Sequence, residues 1–435
     1  MRKYYFLFLI ILFSHAVFAA DFSLLTSQYF AVDKQGEDET GFEYQANILP
    51  GFAHILNDSC DIYASAGVAL TWKKTAENPF SWAPELLRTE FTWMNSNMVF
   101  RFGRGNYSDP LGLAVSGLFD GMQFSHSSIA GTFSIGAWYT GFLYKKTSYI
   151  VMDKQDLISF NTAFNHESFM DTYFAPRRLL MSLDWEHPSI ADMFQLKAAV
   201  TAQIDLPQRE RNDAESNMEL NIIDEKFHSE YFTVKAVIPV KNIDIELGGV
   251  LELLQKSESG VSDTVDAAAK NDAALAGIVN IFYKLPSKFS SSLSLTGRFA
   301  TGDKNKIKAF IPLSNRFYGD IHKMRMPGSS LLSLGYTARF TPKFGMSAGA
   351  SHFLRHDNTS YLGYPFETDE NNALIKEHKN GRSIGTEFSA RLVWSLFSDL
   401  QLNLGGGVFL PVLGDAAPGV KPLYLAEITL AFAFY

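Results

Sequence analysis

The sequence predicts an all-β protein, a transmembrane antiparallel up-and-down β-barrel of about 18 strands, with about 14 as the lower limit. Three observations support this fold class. Apolar and polar residues alternate with a period of two over segments long enough to cross a membrane. The connections between these segments alternate between tight turns and long polar loops. Aromatic residues make up 14% of the chain and include 37 Phe and 18 Tyr.

The first residues of the chain have the pattern of an export signal. Arg2 and Lys3 form a positively charged start, residues 4–13 are an unbroken apolar run, and small residues follow up to Ala19. The run is too short for a transmembrane helix, which needs about 20 residues. We therefore expect residues 1–19 to be a signal peptide cleaved near Ala19. Residues 20–435 then form a single transmembrane β-barrel domain in the cell outer membrane.

The alternation is clearest in segment 194–206 and recurs at 243–254 and 385–397. A strand places successive side chains on opposite faces, so each segment has an apolar face for lipid and a polar face for water. In the first segment this parity places Val200 outward and Thr201 inward. It predicts that arginine destabilises the barrel by about 2–4 kcal/mol at Val200 and is tolerated at Thr201.

The connections support a barrel with long extracellular loops and short periplasmic turns. The short connections contain turn residues such as Asn, Pro, Ser and Asp, and lie at 95–97, 187–189, 241–242, 285–287, 341–343 and 398–399. The long connections are polar and charged, and lie at 145–177, 207–228, 301–330 and 356–383. Only the turn expected at 51–58 is longer than the others of its class. Loop 145–177 is either packed in the lumen or exposed at the surface, and both alternatives stay open.

Two other folds also produce alternation. A secreted β-sandwich has strands of about 5–6 residues, shorter than the segments here, and a soluble barrel has its apolar residues inside. Four tryptophans lie near strand ends, as in the aromatic girdle of a membrane barrel, and these are Trp72, Trp93, Trp185 and Trp394. The last segment, 423–435, resembles the closing strand of bacterial outer-membrane barrels, which implies the barrel-assembly machinery as a partner. Tyr435 is one residue out of phase with that pattern.

The polar parity of the strands predicts the residues that line the lumen. The acids of 242–255 fall on one wall and several arginines on later strands, which suggests a field across the pore that orders polar solutes. Structural salt bridges on the inner wall are the alternative. The predicted pore-lining residues are Arg88, Glu90, Arg101, Asp244, Glu246, Glu252, Arg298, Arg339, Arg355 and Arg391.

One segment is similar to known families. The sequence Val-Phe-Arg-Phe-Gly-Arg at 99–104, Asp109-Pro110, and Gly-Leu-Phe-Asp-Gly at 117–121 resembles an element of the alginate-export and phosphate-selective porins. The resemblance covers about 23 residues and implies a porin-like barrel, and it carries over no substrate residue. We expect the glycines at 103, 117 and 121 to serve backbone conformation and Asp120 to bond locally.

Composition and motifs argue against several functions. The chain has a formal net charge of −8 and no basic patch, so no nucleic-acid partner is expected. Cys60 is the single cysteine, and no metal site or cofactor is predicted. The chain contains no Gly-x-Ser-x-Gly element, and His166-Glu167 lacks the second histidine of a His-Glu-x-x-His motif. We therefore expect no enzyme.

The predicted function is an outer-membrane porin-like channel for passive or weakly selective passage of small hydrophilic solutes or ions, with membrane lipid around it. Homo-oligomerisation stays open. One alternative is a dedicated uptake channel for a hydrophobic substrate, like the fatty-acid transporters, which needs about forty N-terminal residues outside the wall. Segments 22–32 and 41–50 both alternate, which favours the porin. A surface adhesin on a barrel scaffold is the third hypothesis.

Overall fold

A computed structural model describes residues 20–35, 40–74, 80–206, 224–259, 270–302, 307–314, 317–356, 382–415 and 421–434. The expected signal peptide, residues 1–19, lies outside the described residues. Among the described residues, no helix is both long enough and apolar enough to cross a membrane.

Eighteen strands form one closed sheet. Each strand pairs in antiparallel fashion with the next along the chain, and the last pairs with the first through contacts such as Gln28 with Leu430. The predicted all-β barrel is therefore confirmed, with 18 strands. In chain order the strands are β1 (Ala20–Gln35), β2 (Gly41–Asn57), β3 (Cys60–Lys73), β4 (Phe80–Asn95), β5 (Met98–Ser108), β6 (Ser116–Ser128), β7 (Gly131–Tyr139), β8 (Arg178–Ile190), β9 (Phe194–Asp205), β10 (Asp224–Val240), β11 (Ile243–Ser259), β12 (Lys270–Lys284), β13 (Ser290–Ala300), β14 (Ser329–Thr341), β15 (Phe344–Arg355), β16 (Ser383–Ser395), β17 (Leu400–Leu410) and β18 (Leu423–Phe434).

The connections alternate as predicted, with tight turns at one end of the barrel and longer loops at the other. Several boundaries differ from the sequence-based expectation. Strand β8 continues to Ile190, so its turn lies at 191–193 and the turn expected at 187–189 is wrong. Strand β10 begins at Asp224, inside the loop expected at 207–228. Strand β2 continues to Asn57, so its turn is Asp58-Ser59 and the long turn expected at 51–58 is wrong. Strand β7 ends at Tyr139 instead of 144, because the Thr140 hydroxyl donates to the Pro176 carbonyl and the chain leaves the wall there.

The two faces of the wall follow the predicted parity. Val200 is exposed on the outer face, whereas the next residue, Thr201, is 1% exposed. The Thr201 hydroxyl lies 2.9 Å from the hydroxyl of Tyr107, which packs inside the barrel. An arginine at Thr201 would displace Tyr107, so the expectation that this position tolerates arginine is wrong. Parity identifies the face of a residue, but not what covers that face.

The main hydrophobic core lies inside the barrel at its loop end. Three loops enter the lumen and pack against the inner wall: loop 3 (residues 109–115), loop 4 (140–177) and loop 7, of which residues 301–302, 307–314 and 317–328 are described. Loop 4 contains α1 (Lys145–Ser148), α2 (Lys154–Asn161) and α3 (Phe169–Thr172). Loop 7 contains a short ribbon formed by Phe317–Tyr318 and Met324–Arg325. Core residues of the loops include Leu113, Val115, Ile150, Phe310, Leu313 and Met326.

Two neighbouring residues of β13 test the assignment of the faces. Leu295 is exposed on the outer face and Thr296 is half-buried on the inner one. Leu295→Arg should lower the free energy of unfolding by about 2–4 kcal/mol, because it places a charge in lipid. Thr296→Arg should change it much less, because its side chain reaches water in the lumen. Urea unfolding of the refolded protein in lipid vesicles measures both, and equal losses would contradict the assignment.

Candidate functional site

The candidate site is the lumen where the three loops narrow it. Loop 4 and loop 7 meet through a β-bridge between Ile150 and Ser314. Loop 7 reaches loop 3 through the amide of Leu313, which donates to the carbonyl of Ala114 at 2.9 Å. Of the two alternatives for segment 145–177, the structure shows the packed one. Any solute in the lumen meets these loops.

A carboxylate of the wall holds one end of loop 7. Glu252, on β11, is 0% exposed and accepts hydrogen bonds from the Ile311 amide at 2.8 Å and the Ser229 hydroxyl at 3.1 Å. On β10, the hydroxyl of Tyr231 donates to the carbonyl of Ile311 at 2.7 Å. These contacts satisfy the backbone of a loop that is buried away from water. Glu252, predicted to line the pore, therefore supports the loop that narrows it.

A second carboxylate holds the ribbon of loop 7. Glu387, on β16, accepts from three consecutive amides, those of Asp320, Ile321 and His322, at 2.8–2.9 Å. A carboxylate with several N–H donors makes charge-assisted hydrogen bonds, about twice as strong as neutral ones. Glu387 thus fixes the tip of the ribbon to the wall, together with the ring of His322, which stacks on Phe409 of β17 at a centroid distance of 4.2 Å.

Loop 3 is closed by its own aspartate. Asp109 accepts from the amides of Leu111, Ala114 and Val115 at 2.8–3.0 Å. Burial raises the pKa of Asp109, and the amide hydrogen bonds oppose this rise. The Asp109-Pro110 pair noted in the sequence therefore shapes loop 3 and does not face a solute.

Helix α2 of loop 4 is held by a buried arginine of the wall. Arg178, the first residue of β8, is fully buried and lies 2.6 Å from Asp156, 3.3 Å from Asp153 and 3.8 Å from Asp205. Asp153 also caps α2, because its side chain accepts from the Asp156 amide. The sequence analysis missed Arg178. Its only signal was a charged residue directly before the apolar run Leu179-Leu180-Met181 at the start of β8.

The predicted acids of the wall have partners. Asp244 lies 2.8 Å from Lys284, and Glu246 lies 2.9 Å from Lys235. On other strands the ion pairs are Arg88 with Glu90 and Arg391 with Glu427, the latter at 2.8 Å. In each of these four pairs, a base next to the acid neutralises its charge. The salt-bridge alternative describes these four pairs better than opposed charge rows do.

The remaining predicted bases are arranged differently. The guanidinium of Arg298 lies 5.9 Å from the ring centre of Tyr318 in loop 7. Arg101 and Arg339 are exposed. These three arginines make no ion pair within the described ranges. Arg355 is buried, with 2% of its surface exposed. The ten predicted residues are spread around the wall and do not form one compact site.

A small pocket lies on the inner wall below the ribbon. Its volume is about 80 Å³, and its polar lining comes from Asp320 at the tip of the ribbon and from Ser347, Ser389, Arg391 and Glu427 of the wall. No group of three or more metal-ligating side chains occurs among the residues that the structure describes. Hydroxyls and an ion pair of this kind can bind polar groups of a solute in passing.

The segment that resembles porins has a structural explanation. Gly103 has φ +123°, a conformation that favours glycine. A Cβ at Gly121 would overlap the carbonyl oxygen of Ala137. Gly117 has no atom closer than 3.8 Å to such a Cβ, so nothing in the structure requires glycine there. Asp120 bonds to Arg104 at 2.7 and 2.8 Å.

Comparison with known proteins supports the fold. No protein-family model and no curated protein matches the chain. Solved structures from Pseudomonas aeruginosa match over nearly the whole length. OccK5 (OpdH) is 10% identical with a TM-score of 0.56, covering 96% of this chain and 98% of that one. OccK2 (OpdF) in complex with glucuronate is 12% identical with a TM-score of 0.54, covering 95% and 98%. The outer membrane protein opdK is 9% identical with a TM-score of 0.53, covering 95% and 98%.

At these identities the likeness shows the barrel fold. It supports a porin-like barrel in general. The narrower resemblance to alginate-export and phosphate-selective porins stays a prediction.

The contacts of Glu387 lead to a first prediction for the lumen. Glu387→Ala should release the tip of the ribbon, because three amides lose their acceptor, and single-channel recordings should show larger or more strongly fluctuating currents. Glu43→Ala is the matched control, because Glu43 is a wall carboxylate paired with Lys73 at 3.2 Å. Identical traces for wild type and Glu387→Ala would show that the ribbon does not limit the current.

Lys146 of α1 leads to a prediction for pH. Its ammonium donates to the carbonyl of Phe160, and burial, together with the nearby Lys73, lowers the pKa of Lys146 to about 8. The unfolded chain keeps the proton up to about pH 10. Between pH 8 and 10 the unfolded state therefore binds more protons, and stability rises with pH. Urea unfolding should show wild type gaining stability relative to Lys146→Met from pH 7 to 10, and a constant difference would refute this.

Proposed function

We propose that this protein is an outer-membrane channel for small hydrophilic solutes. The observation that carries the proposal is a closed 18-strand barrel with a polar inner wall, narrowed by loops that buried side chains hold in place. A barrel of this strand number is wide enough for an aqueous lumen. A lumen that is narrowed by fixed loops passes solutes of limited size.

The proposal includes the route to the membrane. The expected signal peptide at 1–19 directs export, the barrel-assembly machinery inserts the strands, and the apolar outer face contacts lipid. Channel function requires no enzymatic group, which agrees with the absence of catalytic motifs in the sequence. The structural neighbours support this reading through their shared barrel fold.

The charges of the lumen favour anions. The wall acids described above are paired with bases or bound to loop amides, whereas Arg101, Arg298 and Arg339 have no carboxylate partner among the described residues. Among the ten residues predicted to line the pore, the charge left without a described partner is thus positive, although the whole chain is acidic. We propose a preference for small anionic solutes. One structural neighbour, OccK2, was solved with glucuronate, a sugar acid.

The two alternatives have less support. A fatty-acid-transporter-like channel needs an N-terminal segment outside the wall, but β1 and β2 belong to the barrel and pair over 14 positions from Ala20↔His54 to Asp33↔Gly41. No contact or surface among the described residues favours an adhesin.

Recordings in planar bilayers test the proposal. The mature protein, refolded into a bilayer under a salt gradient, should give steady ohmic steps with a reversal potential on the anion-selective side. Absence of steps from a folded barrel would contradict the channel, and a cation-selective potential would contradict the anion preference.

Two arginines should account for much of this preference. A unit charge about 4 Å from a passing ion contributes about 1 kcal/mol in water, or roughly a fivefold change in an equilibrium constant. Arg298→Gln with Arg339→Gln should therefore lower the anion-to-cation permeability ratio several-fold. Lys241→Gln is the control, because Lys241 lies in an exposed turn outside the lumen. An unchanged ratio in the double variant would assign the selectivity elsewhere.

A further inference from the structure

The wall has a seam at which two adjacent strands separate. Strands β4 and β5 pair from Asn95↔Met98 only as far as Thr89↔Arg104. Both strands continue beyond this point. Strand β4 continues to Phe80 and pairs only with β3, while β5 continues to Ser108 and pairs only with β6. Above Thr89 and Arg104 the seam has no backbone ladder.

Side chains take the place of the missing ladder. The carbonyl of Pro84 accepts from the hydroxyl of Tyr173 in loop 4 at 2.6 Å, and the carbonyl of Leu86 accepts from the guanidinium of Arg104. Residues 84 and 86 are two positions apart, so their carbonyls point to the same edge of the strand. Pro84 also has no N–H, which leaves one donor fewer to satisfy at this edge.

Arg104 connects all the parts that meet at the seam. Its Nε and Nη2 bind both carboxylate oxygens of Asp120 on β6, at 2.7 and 2.8 Å. The same Nη2 donates to the carbonyl of Phe142 in loop 4 at 3.0 Å. Arg104 is 5% exposed, so these bonds are shielded from water. One side chain thus holds β4, β6 and loop 4 together.

The part of loop 4 that fills the seam is aromatic. Its rings contact one another at centroid distances of 4.5–6.1 Å and belong to Tyr144, Phe164, Phe169, Tyr173 and Phe174. The ring of His166 lies 4.3 Å from Trp82 of β4. On the lumen side, the hydroxyl of Thr147 donates to Glu85 at 2.5 Å. Phe142 and Met170 are exposed by 54% and 57%.

The height of the seam places its lower end within the membrane. The paired part of β4 and β5 spans seven positions, from 98 to 104. At about 3.3 Å per residue and a tilt of about 40°, it rises about 18 Å above the turn. The apolar band of such barrels is about 25 Å tall. The unpaired part therefore begins within the upper part of this band.

We propose that this seam is a lateral portal through which small apolar or amphipathic solutes exchange between the lumen and the lipid. The aromatic part of loop 4 is its plug, and Arg104 is the latch that holds this plug against the wall. The plug is held at the seam by side-chain contacts rather than by a ladder, so it can leave without breaking the sheet. This goes beyond the proposed function, because hydrophilic solutes that cross along the barrel axis need no opening in the wall.

Photolabelling with a small apolar reagent tests the portal. The mature protein in phosphatidylcholine vesicles is irradiated with a lipid-soluble aryl diazirine, and labelled residues are mapped by mass spectrometry. We expect labels on Phe164, Phe169 and Tyr173 in addition to the outward residues Phe102 and Met122. Arg104→Ala should raise the labelling of loop 4 several-fold. Labels confined to the outward residues would overturn the proposal.

Two controls distinguish a specific effect of Arg104 on loop 4 from a general loss of stability of the barrel. Lys197→Ala breaks an ion pair with Glu186 elsewhere in the wall and should leave loop 4 labelling at the wild-type level. In a Cys60→Ser background, a disulfide from Glu85→Cys and Thr147→Cys should abolish the labelling, and reductant should restore it. Labelling that persists in the locked protein would overturn the portal. If Arg104→Ala does not fold, the labelling pattern of the wild-type protein decides between the two outcomes.

Failure of the portal and failure of the channel give different results. Ohmic steps without loop 4 labelling would refute the portal and leave the channel intact. Loop 4 labelling without ohmic steps would support the portal and refute the hydrophilic channel.

Discussion

The structure depends on one constraint: a backbone N–H or C=O in lipid needs a partner within the protein. Closure of the sheet by β18 on β1 satisfies this requirement around the wall. The seam between β4 and β5 is the place where the ladder stops early, and there the donors are side chains of Tyr173 and Arg104. The same rule that closes the barrel therefore explains why an arginine with a carboxylate partner stands at this position.

The rule also applies inside the barrel. Loops 3, 4 and 7 bring backbone amides into a packed interior, and Asp109, Glu252 and Glu387 accept from them. Charged residues of the inner wall consequently have two roles. Those bound to loops hold the loops that narrow the lumen, and those without a carboxylate partner are the ones that we propose act on a solute through their charge. Arg298 belongs to the second group, next to Tyr318 of loop 7.

The sequence predicts the wall far better than the interior. A period of two depends only on the backbone, so the strands and the outward position of Val200 follow from it directly. The packing of Thr201 against Tyr107 of β5 and of Glu252 against Ile311 of loop 7 joins residues that are 94 and 59 positions apart in the chain. The positions of the short turns predicted that the long loops lie together at the other end of the barrel. Nothing local in the sequence predicts which wall residue each loop contacts.

The segment 99–121, which resembles an element of other porins, has features that the structure of the wall explains. Its glycines at 103 and 121 allow a left-handed backbone and a close approach of neighbouring strands, and its Arg104 and Asp120 bind each other beside the seam. These residues are required where two strands of the wall stop pairing and a loop holds them together. This requirement applies whatever solute the channel passes, which explains why the resemblance carries no substrate residue with it. Arg298, which we propose contributes to selectivity, lies outside this segment.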